Sequence, residues 1–153
     1  MKTNKFEFDK VFAKLQQMKP KLPEEIANIA KNAFVRNFRE ESFFGKKWKE
    51  VQRRQQGTAA YKYPKKKKLS RRVKPILVGT GRLKREVGSS IKSTTWEEIR
   101  LMVDTQSKGG YNYAAAHNDG TNHVPQRKFM GNSPELNKKI KNKIQLEIGK
   151  IFK

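Results

Sequence analysis

Leu77-Val78-Gly79-Thr80-Gly81-Arg82-Leu83-Lys84 opens the half of the chain that decides its fold. The two glycines permit a tight turn, and the stretch from Gly79 to Glu86 predicts a short helical turn on which Leu83 and Val87 face a core. Ser89 to Thr95 and Ile99 to Asp104 are then two short segments with β-branched residues, joined around Trp96-Glu97-Glu98, and they predict a hairpin. Ile99, Leu101 and Val103 alternate, which puts them on one sheet face. The last element is the best marked. Ser133 is a natural N-cap, Pro134 suits the first helical position, Glu135 sits in the first turn and lysines dominate the far end. Leu136, Ile140, Ile144, Ile148 and Ile151 or Phe152 form one apolar stripe along it.

Working back towards the amino terminus, Phe8, Val11, Phe12 and Leu15 follow helical spacing and predict a short amphipathic helix or arm. Pro20 and Pro23 are expected to break it. Pro23 with Glu24 and Glu25 reads as a new helix start, Ile26, Ile29, Ala30, Ala33, Phe34 and Phe38 share one face, and Gly45 is a natural stop. Between about 46 and 76 periodicity gives way to charge, and a long basic loop or hairpin is expected. The whole is an α+β fold in a single domain, 1–153: a small antiparallel sheet packed with an N-terminal-half helix and a C-terminal amphipathic helix.

Composition narrows the function. Apolar residues make up 35% of the chain and charged residues 33%, so the protomer has little core to spare and surfaces completed by partners are expected. Absence of cysteine excludes disulfides and thiolate metal sites. Without an apolar run long enough for a signal peptide or membrane span, a soluble protein made in the cytoplasm is expected, with no membrane partner. The net charge is +22, and residues 46–85 hold sixteen basic groups against one acidic. Self-repulsion at that density favours an anionic partner, either nucleic acid or an acidic protein face. Lys65, Lys66, Lys67, Lys68, Arg71 and Arg72 are the candidate contacts.

The glycines at 79 and 81 lack the spacing of a P-loop or a dinucleotide fingerprint. His117 and His123 are the only histidines, with Asp119 the only carboxylate nearby, which is too thin a donor set for a metal. Acidic residues are sparse and mostly sit where helix dipoles explain them, so neither an enzyme nor a cofactor is expected. Tyr113, His117 and Gly120 read as a strand-to-loop transition. Pro125-Gln126-Arg127-Lys128-Phe129-Met130-Gly131 reads either as a connecting loop pinned by Phe129 or as a subunit contact made by Arg127.

Taken in order, Leu77 with Thr80-Gly81-Arg82-Leu83-Lys84, Tyr113-Ala114-Ala115-Ala116-His117-Asn118-Asp119-Gly120, Pro125-Gln126-Arg127-Lys128-Phe129-Met130-Gly131 and the closing amphipathic helix resemble the phage virion morphogenesis family. These are small proteins that complete tails and join them to heads, as in phage Mu. The resemblance reaches back to Pro23 through Phe43-Phe44-Gly45-Lys46-Lys47-Trp48. It implies a structural protein of the virion neck or tail end, assembled in the host cytoplasm. The implied partners are further copies in a ring, six-fold, then neighbouring neck, tail-tube or terminator proteins, and genomic DNA in the channel. Gly81, Leu83, Tyr113, His117, Gly120, Pro125, Arg127 and Phe129 would carry the family motif or a subunit interface. The alternative is a non-specific nucleic-acid-binding protein, in which Tyr61 and Tyr63 stack bases while the lysines hold the backbone.

Overall fold

The computed structural model describes residues 8–63, 70–106 and 109–152. Helix α1 (Phe8–Glu40) is followed by a hairpin of β1 (Ser42–Phe43) and β2 (Lys46–Lys47), a 3-10 turn (Gln52–Arg54), and short helices α2 (Ala59–Lys62) and α3 (Ser70–Val73). Helix α4 (Arg82–Gly88), a second hairpin of β3 (Ile91–Thr94) and β4 (Ile99–Leu101), α5 (Tyr113–Asp119) and α6 (Pro134–Ile151) complete the order. The fold is α+β, and among the described residues the strands form two separate antiparallel hairpins.

Helix α1 is the platform. Ala30, Phe34 and Phe38 are buried as their spacing predicts, and α4, α6, β3 and β4 all pack on it. Phe38 meets Trp48 edge-on with centroids 5.6 Å apart and Phe129 at 5.3 Å; Ile76, Leu83, Val87, Ala114 and Leu136 close the same core. Such aromatic contacts add about 0.5–1.5 kcal/mol per pair beyond the area they bury.

The expected break at Pro20 and Pro23 is corrected: both lie inside α1. Each removes a helical N–H, at a cost on the order of 3 kcal/mol for an interior proline. Tertiary anchorage offsets that cost. Leu22 and Pro23 are themselves buried, Lys14 Nζ donates to Ile151 O at 3.2 Å, and Glu25 pairs with Lys143 at 2.9 Å. These contacts fix α6 antiparallel to α1 along much of its length.

The helix stops at Glu40 and not at Gly45. Phe44 (φ 46°) and Gly45 (φ 87°) are instead the two central residues of the first hairpin's turn, where positive φ at both positions matches the twist of the strands. The basic region is likewise more structured than a loop. It contains β2, the 3-10 turn, α2 and α3, and is tied down by buried Trp48 at one end and Ile76 at the other.

The second hairpin pairs Thr94 with Ile99, Ser93 with Arg100 and Ile91 with Leu101, with the register shifting between Ile91 and Ser93. Helix α6 starts as its sequence dictates, the Ser133 side chain accepting from Leu136 N at 3.2 Å. Its stripe is buried unevenly: Leu136 and Ile151 are buried, Ile140 and Ile144 half-buried, and Ile148 exposed.

Candidate functional site

The segment from Arg127 to Met130 is held from three sides. Asn37 on α1 donates to Phe129 O at 3.0 Å, Trp48 Nε1 donates to Lys128 O at 2.7 Å, and Asn118 Oδ1 on α5 accepts from both Phe129 N and Met130 N at 3.0 Å. Arg127 N adds a bond to His117 O at 2.7 Å. Phe129 is buried as expected, but the segment is a clamped strap across the core, not a simple connection.

Residues Tyr113 to Asp119 form helix α5, which corrects the strand-to-loop expectation. Asn112 caps it by accepting from Ala115 N at 3.0 Å, and the run Ala114-Ala115-Ala116 has the highest helix propensity available. Gly120 ends the helix at φ 82°, ψ 163°, a conformation open essentially to glycine alone. A Cβ there would also lie 3.1 Å from the Gln126 backbone nitrogen.

Strap, α5 and the turn before α4 together enclose a cavity of about 520 Å³. Gly81, Leu83, Tyr113, His117 and Arg127 all line it, although they come from three separate stretches of sequence. Gly81 takes the positive φ expected of it (77°), and Leu83 is buried. Gly120, Pro125 and Phe129 are not among the lining residues; Gly120 and Phe129 set the path of the strap behind it.

Arg127 is only 7% exposed, its Nε donating to Lys49 O at 3.0 Å. Burial lowers its guanidinium pKa, and the neighbouring charge of Arg53 lowers it further. His117 is half-buried; burial first, and then the Arg127 charge, hold its pKa below the ordinary histidine value, which favours the neutral imidazole. Its Nδ1 is buried without a hydrogen-bond partner among the described residues. Arg53 and Lys74 also line the cavity and were not singled out by sequence. Their signal is only that they flank the Gly79-Thr80-Gly81 turn in space.

The basic candidates divide. Lys65, Lys66, Lys67, Lys68 and the side chain of Arg71 lie outside the described residues. Arg72 stacks on Tyr61 at 4.3 Å and donates to Tyr61 O, so that face of the ring is covered by the protein's own cation and is closed to a base. Tyr63 is 80% exposed. Among the described residues no group of three His, Asp or Glu side chains is placed to hold a metal, and no helix is long and apolar enough to cross a membrane.

Comparison with known proteins finds no match to this chain among family models, curated proteins or solved structures.

Proposed function

We propose that the protein is a structural component of a phage virion, completing the tail or joining head to tail as one subunit of a ring at the neck. The observation that carries this reading is a set of apolar side chains exposed, among the described residues, where the amino-terminal end of α1 lies beside the carboxyl-terminal end of α6. Phe12 and Leu15 on α1, Leu146 and Ile148 on α6, and Phe152 just after it are each at least 40% exposed, and the Lys14–Ile151 bond brings these two helix ends together. Apolar side chains concentrated at one end of a protomer suit contact with another copy. The ordered motifs support the reading from a second direction, since they fold into one contiguous unit of strap, α5 and α4 turn. In the ring the tract carrying Lys65 to Lys68 would face DNA or an acidic neighbour.

Mass photometry across a concentration series, followed by electron microscopy of the largest species, tests the proposal. Closed rings are expected. A chain that remains monomeric at every concentration while binding duplex DNA would replace this reading with that of a nucleic-acid-binding protein.

A further inference from the structure

The cavity between the 3-10 turn, the α4 turn and the strap has no assigned occupant. Its charge is one-sided: Arg53, Lys74, Arg82 and Arg127 line it and, among the described residues, no carboxylate does. Several of these groups are already oriented by the backbone. Arg53 donates to Lys74 O at 2.9 Å and Pro75 O at 3.1 Å, Lys74 Nζ to Gly79 O at 3.0 Å, and Arg82 to Gln106 O at 3.3 Å. Arg127 also lines the cavity, its Nε fixed on Lys49 O, and its two terminal nitrogens make no further hydrogen bond among the described residues.

A buried guanidinium facing like charge is costly unless an anion completes it. Glu50 attracts Arg127, but its carboxylate is already engaged by Arg54 at 3.3 Å and by Val51 N–H at 2.7 Å. Glu86 lies 4.0 Å from Arg82 in an exposed pair and outside the lining, so within the cavity the negative charge is left to a ligand. A cluster of four cations is best offset by a dianion, and guanidinium forks match the tetrahedral oxygens of phosphate. The volume lies in the range of small-molecule sites, and Leu77, Leu83 and Tyr113 supply an apolar wall for what the phosphate carries.

We propose that this cavity is a binding site for a phosphate monoester, held by Arg127 and Arg82 with Arg53 and Lys74 at the rim. The site does not depend on the assembly reading above. Free phosphate, a mononucleotide and the phosphorylated end of a nucleic-acid strand share this chemistry.

The two histidines give a built-in readout. His117 lines the cavity, whereas His123 is exposed and absent from its lining. Arg127 on the strap is the charge that acts on His117, and Arg53 on the 3-10 turn, Lys74 and Arg82 line the same cavity. An anion seated among them offsets the repulsion on the imidazole, so the His117 ring signals should move on binding while those of His123, which lies outside the cavity, should not.

The full chain, labelled with nitrogen-15, would be titrated at constant ionic strength with inorganic phosphate, a 5′-mononucleotide, a 5′-phosphorylated single-stranded oligonucleotide and acetate. Saturable shifts of the His117 ring signals with a phosphate species are expected, with apparent affinity falling about tenfold in Arg82→Gln, an exposed position that leaves the core intact. Arg127→Gln should abolish the response; if that variant fails to fold, Arg82→Gln still decides. Saturation by inorganic phosphate points to the free anion, saturation by the mononucleotide alone to use of the apolar wall, and saturation by the oligonucleotide alone to a strand end. The proposal is overturned if acetate acts as strongly as phosphate, if His117 and His123 respond alike, or if Arg82→Gln leaves the titration unchanged.

Discussion

Arg54 Nη1 reaches both carboxylate oxygens of Glu41, at 2.7 and 2.9 Å. Glu41 sits directly after α1 with a positive φ of 50°, and its Oε1 also accepts from Ile76 N at 2.7 Å. One carboxylate therefore ties the end of α1, the 3-10 turn and the return of the basic region to the core. Burial, the largest single influence on this group, pushes its pKa up. The hydrogen bonds from Arg54 and Ile76 and the charges of Arg54 and Lys47 outweigh it, and the net effect is downward.

Glu41→Gln should destabilise the protein by about 1–3 kcal/mol, the cost of leaving buried donors poorly paired. The sign of the pH dependence follows from the lowered pKa. The unfolded chain takes up the proton first, so the contribution is complete above the ordinary carboxylate value of about 4.3 and is lost as pH falls through the folded value. Thermal melts of wild type and variant should differ by a constant amount above about pH 5 and converge below it. A constant difference down to pH 3 would remove the ionised carboxylate from the account.

Gly120→Ala tests the strap. The substitution forces a side chain into a backbone region it rarely adopts and against Gln126, so a loss of about 1–3 kcal/mol is expected. Because the Gln126 backbone leads into Arg127, the His117 ring signals should shift as well. An unchanged melting temperature would mean that the strap adjusts without strain.

What could be read beforehand depended on whether the cause was local. Ser133-Pro134-Glu135 encodes its helix start in three adjacent residues, and Leu83 with Val87 encodes a buried face within one turn; both stand in the structure. Pro20 and Pro23 misled because a local rule lost to the packing of α1 against α6. Asn37 and Asn118 gave no signal at all. Each is an ordinary polar residue until the fold brings Phe129 to it from 92 and 11 positions away. The cavity was half-legible: its motif residues stood out in order, whereas Arg53 and Lys74 were lost in the surrounding charge. Glu50, the single acid within 46–85, was the available hint that this tract has an internal anchor.

The exposed end of α6 separates core from interface. Leu136→Ala, at a buried position, should cost about 2–5 kcal/mol whatever the protein concentration. Ile148→Asp adds a charge to a side chain already 42% exposed, so the monomer's melting temperature should hardly move while the concentration needed for assembly rises steeply. Ile144 is half-buried, and Ile144→Asp should fall between the two. If Ile148→Asp unfolds the dilute monomer, the stripe belongs to the core and the assembly surface lies elsewhere.

The lysine run at 65–68 distinguishes a DNA neighbour from a protein neighbour. Each phosphate contact releases condensed counterions, so log affinity should fall linearly with log salt at about −0.9 per contact on duplex DNA. Replacing Lys65, Lys66, Lys67 and Lys68 by glutamine should flatten that slope by as many contacts as the run makes, up to about 3.6 for all four, and equally for unrelated sequences. Arg72 is already stacked on Tyr61, so Arg72→Gln should change stability more than the slope. Both variants would be titrated against two unrelated duplexes at several salt concentrations, and then tested for ring formation. If the quadruple variant keeps the wild-type slope yet no longer joins particles, the lysines grip an acidic protein and the DNA-facing assignment is wrong.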